Sequence, residues 1–277
     1  MPRKDGRRRN KATIFRARSG RSDSEPATSA FMIRSQLSST RLYVPEALAA
    51  GTELLVSAES ANYLRNSLRL VLGTEILVFN GRDGEWRARL TANSRKETRL
   101  EVLSQFRTQT RVGSLHYAFA PIKHARLDFM VQKAVEIGVG RISPVITRHT
   151  QVARVNVERM QANVIEAAQQ CGILAIPEVD EPLAFAKWLA GIPADRTLVF
   201  CDEEAEPGDP LKALTAGPSG SLTLVVGPEG GFDAEERRAL LDRKPVIRLS
   251  LGPRILRADT AAIAALAIVQ AARGDWR

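Results

Sequence analysis

Val226-Gly227-Pro228-Glu229-Gly230-Gly231-Phe232 and Leu249-Ser250-Leu251-Gly252-Pro253-Arg254-Ile255-Leu256-Arg257 are the two stretches that decide how this chain is read. Each follows a short apolar run, Leu222 to Val226 and Val246 to Leu249, and each leads into a helical pattern. The grammar is strand, turn, helix, twice over. Glycine alone adopts positive φ cheaply and carries no Cβ, so both turns let backbone approach a ligand. The neighbouring prolines stiffen the turns and deny them a helical start. Asp233, with Glu236 three residues on, has the pattern of an N-cap and capping-box partner, which starts a helix right after Phe232. Taken singly, either turn is equally an ordinary strand-to-helix connection; in succession they point to a ligand.

Familiar phosphate loops do not fit. A P-loop needs a lysine and a hydroxyl after its last glycine, whereas Gly231 is followed by Phe232 and Asp233. Gly227, Gly230 and Gly231 do not make a GxGxxG fingerprint either. A nucleoside triphosphate and a nicotinamide cofactor are both disfavoured.

Upstream, Leu115 to Ala120 forms an apolar strand ending at Pro121, and Leu127, Met130, Val131, Ala134 and Val135 then recur at helical spacing. Arg141 to Ile146 opens the next strand, Val157 to Cys171 a second helix, and Thr197 to Cys201 a further strand. This alternation implies an α/β fold with a mainly parallel, buried sheet. The acidic loop Asp202 to Asp209, with Glu203, Glu204 and Glu206, reads as solvated rather than metal-binding. After Arg257, Asp259 or Thr260 can cap a helix running to Ala271, apolar all round and therefore buried, against a partner chain or against the sheet.

Residues 41 to about 110 differ in kind. Leu54-Leu55-Val56, Glu75 to Phe79, Trp86 to Leu90 and Thr98 to Leu103 read as short strands, with a helical stretch from Ala58 to Leu70 and a hairpin turn at Asn80-Gly81-Arg82-Asp83-Gly84. A small β-barrel follows. Its charge is ten basic against eight acidic, so a site for a polyanion there is a patch made by folding. Arg41, Arg65 and Arg69 are the candidates for phosphate contacts, since guanidinium forks match phosphate geometry; each alone also reads as a solvated arginine. Lys123 sits just past a strand end, where open α/β sheets place their ligands, and is a candidate for phosphate contact or mere solvation.

The chain has 277 residues, 44% apolar, with formal net charge +9. Residues 1–40 hold ten Lys or Arg against three Asp or Glu, leaving 30 basic and 28 acidic side chains in the rest. This tail lacks apolar periodicity and reads as disordered. Three origins stand: an arm that binds RNA phosphates, an extension ahead of a true start at Met32, or a transit peptide, the last weakened by Asp5, Asp23 and Glu25. No signal peptide and no membrane-spanning run is evident. Cys171 and Cys201 offer neither a disulfide framework nor metal spacing and read as small apolar fillers; His116, His124 and His149 form no ligand motif. No metal is expected, and a reducing cytoplasm fits.

Gly-Pro-Glu-Gly-Gly at 227–231, Leu-Gly-Pro-Arg-Ile-Leu-Arg at 251–257 and Asp259-Thr260-Ala261-Ala262 resemble the motifs of the RsmE family, SPOUT-class methyltransferases of 16S ribosomal RNA. The resemblance spans residues 41–275. Arg41-Leu42-Tyr43-Val44 and Ser67-Leu68-Arg69 resemble motifs of its PUA-like barrel, with Tyr63 where a histidine is usual and Ser67 where valine is. Lys123, Lys133, Glu136 and Gly138 match the family's pattern, with Ile137 for leucine. Gln169-Gln170-Cys171-Gly172-Ile173 departs from it, lacking a final arginine. The resemblance leaves the basic tail, residues 1–40, outside its span and implies a PUA-like RNA-binding barrel over 41–112 and a SPOUT domain over 113–277 that threads a trefoil knot around its sheet. It implies S-adenosylmethionine as cofactor, held by Gly227, Glu229, Gly230, Gly231, Leu249, Leu251, Gly252, Ile255 and Leu256. It also implies a homodimer, and the small ribosomal subunit or its 16S RNA as partner.

Methylating uridine N3 removes its proton and leaves negative charge shared with the flanking carbonyls, so a fixed cation lowers the barrier. Arg257 is the motif's candidate for that role. A guanidinium cannot be the base at neutral pH, and the base stays unassigned. Two other readings stay open: ribose 2'-O methylation of another RNA on the same fold, and a noncatalytic RNA-binding or ribosome-assembly protein.

Overall fold

Short apolar runs without alternation need both faces covered, and the C-terminal part of the chain does this with helices on each side of one sheet. The computed structural model describes residues 40–152 and 154–276, which belong to one compact unit. The expectations for the basic tail, including Met32, lie outside the described residues.

The large sheet comprises β6 (His116–Phe119), β7 (Arg141–Ile146), β8 (Glu178–Val179), β9 (Leu183–Ala184), β10 (Thr197–Cys201), β11 (Leu222–Val226) and β12 (Val246–Leu249). Its order is β12-β10-β11-β6-β7-β8, with β9 also on β7, and every pairing is parallel. Alternate strand residues face opposite layers. Tyr117, Phe119, Val199, Leu224 and Val226 pack with helices α2 (His124–Glu136), α3 (Val157–Cys171), α5 (Pro210–Ala216) and α7 (Ala258–Arg273). Ala118, Leu198, Phe200 and Val225 pack with α4 (Phe185–Ala190) and α6 (Ala234–Asp242). The fold is a three-layer α/β sandwich.

Local chemistry sets the helix ends. α3 begins where the Asn156 side chain accepts from the Arg159 amide and ends at Gly172, whose φ of 72° is left-handed. α6 carries the expected capping box, Asp233 accepting from the Glu236 amide at 2.7 Å and Glu236 accepting back at 3.2 Å. α7 corrects the expectation at its own start. Its N-cap is Arg257, with no side-chain cap bond, and Asp259 and Thr260 lie inside its first turn. Asp259 instead accepts from the Thr260 amide beside it.

The N-terminal part is a curled five-stranded sheet, β1 (Arg41–Tyr43), β2 (Glu53–Leu55), β3 (Glu75–Phe79), β4 (Glu85–Asn93) and β5 (Thr98–Arg107), in the order β1-β3-β4-β5-β2. Leu42, Val44, Leu54, Ile76, Val78, Ala88, Leu90, Leu100 and Val102 fill its core. Asn80 makes the hairpin turn, its Oδ1 accepting from the Arg82 and Asp83 amides. The helical stretch is shorter than expected. α1 covers Ala58–Asn62 and runs into a π-helical turn, Tyr63–Ser67, after which Arg69 takes a positive φ of 53°.

Arg41 is not at the surface. It is 6% exposed, and its Nε donates to Glu85 Oε1 at 2.6 Å while Arg107 Nε donates to Glu85 Oε2 at the same distance. Arg41 Nη1 donates to the carbonyls of Ala168 and Gln169, and Nη2 to that of Ile173. These carbonyls lie in the last turn of α3 and just beyond it, where a cation meets the negative end of the helix dipole. The expected phosphate role for Arg41 is therefore corrected: its donors are spent joining the curled sheet to α3. The departure at Ile173 lies at this joint.

Candidate functional site

Strands β12, β10 and β11 are neighbours and parallel, so the loops leaving their C-terminal ends emerge together on one edge, where open α/β sheets bind ligands. The loops 202–209, 227–233 and 250–257 surround a cavity of about 470 Å³. Phe200, Val226, Leu249, Leu251 and Leu256 give it an apolar wall. Of the residues expected to hold a cofactor, Gly227, Glu229, Gly231, Leu249, Leu251, Gly252, Ile255 and Leu256 come together around this one cavity. Ile255 is 94% exposed and forms a lip rather than a wall.

Gly230 does not line the cavity. A Cβ there would point at His149, 3.5 Å from its Cβ. Gly227 packs on the Phe232 ring, where a Cβ would stand 2.8 Å from a ring carbon. Gly231 has φ 71°, and a Cβ on it would meet Glu203 Oε1 at 2.6 Å. The ring contact at Gly227 and the left-handed backbone at Gly231 are why the turn needs glycine.

Two other segments, α2 and the loop after β7, hold the 227–233 turn and the capping box that follows it. Arg126 of α2 pairs with Glu229 at 2.6 Å. His149 Nδ1 lies 3.1 Å from the carbonyl oxygens of both Gly230 and Gly231, so it carries the proton and donates. The Arg148 amide donates to Glu236 of the capping box. Beneath the cavity, Asp202 is buried. Burial pushes its carboxyl up, but hydrogen bonds from Arg237 and Arg248 outweigh that and hold it below the ordinary carboxylate range.

Arg257 is exposed at the start of α7, one residue beyond the cavity-lining Leu256, and Arg254 lies on the lining itself. Lys123 is exposed at the N-cap of α2, on the same sheet edge but not on this cavity. Arg65 and Arg69 lie far off in sequence on the curled sheet's π-turn, where Arg65 donates to the Ser94 carbonyl at 2.7 Å and Arg69 is exposed.

The loop after β10 is the principal omission of the sequence reading. Asp202 to Pro207 form a cavity wall, not a solvated bystander. Its signal was available: an apolar strand, Thr197–Cys201, followed by a turn, to which the C-terminal-edge rule applies. Arg126, His149 and Arg237 gave none, because their partners lie up to 103 residues away. Cys201 packs against the core as expected, whereas Cys171 is exposed and fills nothing. Among the described residues no group of three or more His, Cys, Asp or Glu could hold a metal ion, and no helix is long and apolar enough to cross a membrane.

Two family models match the chain: an RNA methyltransferase domain over residues 108–270 and an RNA methyltransferase PUA domain over 56–103. Ribosomal RNA small subunit methyltransferase E of Rickettsia conorii is 32% identical over 232 residues, covering 83% of this chain and 94% of the relative. The Neisseria gonorrhoeae protein of the same name, solved bound to S-adenosyl methionine, superposes with a TM-score of 0.76 at 30% identity, over 86% of this chain and 100% of that one. A Legionella pneumophila methyltransferase, solved with its bound cofactor SAM, gives a TM-score of 0.74 at 30% identity, over 86% and 99%. By the span of these matches and by its own glycine turns, the chain belongs to the ribosomal RNA small subunit methyltransferase E family.

Proposed function

We propose that the protein transfers a methyl group from S-adenosylmethionine to N3 of a uridine in 16S ribosomal RNA. The observation that carries this is the convergence of three consecutive strand-end loops on one cavity, in a chain of this family. The residues present suit the cofactor. A volume of about 470 Å³ is of the size that encloses a small ligand. Leu249, Leu251 and Leu256 offer apolar surface to a purine, the glycine turns offer backbone donors and acceptors to its edge, and the carboxylates of the 202–207 loop face a cationic ligand. When bound, the cofactor supplies an electrophilic methyl group.

The protein's part is positioning and electrostatics. Arg257 follows the cavity-lining Leu256 at the N-cap of α7, from where its guanidinium can balance the charge that uracil gains as N3 loses its proton. A paired uridine hides N3, so the target is unpaired or turned out of its helix. The half-buried Arg65 and the exposed Arg69 and Lys123 are the cations assigned to the RNA backbone, with the 41–112 segment as the RNA-binding part and 113–277 as the catalytic part. The trefoil knot and a homodimer through α7 belong to the same reading. So does action on the small ribosomal subunit in the cytoplasm.

The test is to incubate the protein and S-adenosylmethionine with small subunits lacking the modification, then digest the RNA and identify nucleosides by mass. Formation of 3-methyluridine is expected. A ribose-methylated nucleoside, or no methylation by protein that binds the cofactor, contradicts the proposal.

A further inference from the structure

A chain of net charge +9 that acts on a polyanion has reason to keep carboxylates out of its working surface, yet the cavity walls concentrate them. Asp202, Glu203, Glu204, Glu206 and Glu229 line it against Arg237 and Arg254. Three of the carboxylates are committed within the protein: Asp202 to Arg237 and Arg248, Glu204 to Arg237, and Glu229 to Arg126. Glu203 and Glu206, both exposed in the single chain, have no ion pair at contact distance among the described residues, and Glu203 meets Arg237 only at longer range. It is also the carboxylate that reaches across the cavity. Its Oε1 lies 2.6 Å from where a Cβ on Gly231 would stand, so it spans from the loop after β10 to the turn after β11.

S-adenosylmethionine and its product share adenine, ribose and the amino-acid end. They differ at sulfur, which is a cationic sulfonium before transfer and a neutral thioether after it. Apolar and backbone contacts treat the two alike, as does an anion at the α-ammonium they share, whereas an anion facing the sulfur stabilises only the sulfonium form. Resting on the cofactor site proposed above, we infer that Glu203 is a specificity-determining residue that makes this cavity favour the sulfonium-bearing donor over the thioether product. Product release is thereby helped, because methyl transfer removes the charge that Glu203 holds.

Calorimetric titration of three ligands into wild-type protein and Glu203→Gln tests this. The ligands are S-adenosylmethionine, S-adenosylhomocysteine and sinefungin, which carries an ammonium-bearing carbon in place of the sulfonium. The variant should bind both cationic ligands about tenfold more weakly, the size of one partly screened charge contact, and the thioether within about twofold of wild type. Retained thioether binding also shows that the variant is folded. Equal weakening for all three ligands, or no change for any, overturns the inference while leaving the cofactor site standing. The wild type alone gives a second check: equal affinities for donor and thioether product overturn it without any variant. Failure of the wild type to bind all three removes the cofactor site and the inference together.

Discussion

Arg41 and Arg257 show how one residue type takes opposite roles according to burial. Both stand in motifs, and both were read from sequence as contacts to the substrate or its backbone. Arg41 is buried with its donors spent inside the protein, while Arg257 is exposed beside the cavity. Substituting Arg257 with Ala should lower the single-turnover methylation rate by about a hundredfold or more, the usual loss when one charge-stabilising donor is removed. Cofactor affinity by calorimetry should stay near wild type, and a rate within a fewfold of wild type would remove Arg257 from the chemistry. His116 gives a residue-scale prediction of another kind. Burial, then the nearby Arg196 and Arg141 charges, pull its imidazole down to about 4 from the usual 6.5. Arg196 Nη2 donates to its Nε2 at 3.2 Å, which fixes the neutral form. The unfolded chain takes up this proton below pH 6.5 and the folded chain does not until about pH 4, so the stability tied to His116 is intact above that window and falls as pH drops through it. His116→Gln keeps an acceptor for Arg196 and cannot titrate. Denaturant melts at pH 7 and pH 4.5 should show the variant losing about 1–2 kcal/mol less than wild type, after allowance for the ring's partial exposure.

Elements were legible in the sequence where their signals are local. The capping box of α6 is decided within four residues and occurs where expected, and α3 spans the Val157–Cys171 read from its apolar periodicity. The start of α7 was misread because Asp259 and Thr260 are good caps in isolation, whereas the chain turns helical already at Ala258. The loop after β10 was misjudged for a different reason. Its role depends on β10 lying between β11 and β12 in the sheet, and spatial strand order is written in no local pattern. The Arg41, Glu85 and Arg107 cluster is likewise nonlocal, tying β1, β4 and β5 to the end of α3. Glu85 is 1% exposed between two guanidiniums. Glu85→Gln should leave buried Arg41 without its counter-charge and cost about 3–5 kcal/mol of stability. A calorimetric melting temperature within a degree or two of wild type would contradict that assignment.

At the scale of the molecule, the parallel sheet and the curled sheet were both expected from the change of period near residue 111. The sheet's strand order and the joint between the two sheets were not, since each depends on contacts between distant segments. Helix α7 buries Ala262, Ala265, Leu266 and Val269 against the sheet layer but leaves Ala261, Ile263, Ala264, Ala267 and Ile268 only half-covered, near an Ile255 that is 94% exposed in the single chain. Burial within one chain thus accounts for one face of the helix only. Light scattering should give twice the chain mass, and Ile255→Asp, which disturbs nothing buried, should weaken the dimer at least tenfold. A monomeric wild type at micromolar concentration would remove the dimer from the account.

The account stands on the three-loop cavity being the cofactor site, and calorimetric titration of S-adenosylmethionine into wild type and Ser250→Trp addresses this directly. Ser250 lines the cavity and is partly exposed, so an indole there fills the space without entering the core. Binding by wild type at one site per chain, and its loss in a variant with unchanged circular dichroism, is the predicted result. Equal binding by the two proteins would place the cofactor elsewhere and contradict the assignment of the loops after β10, β11 and β12.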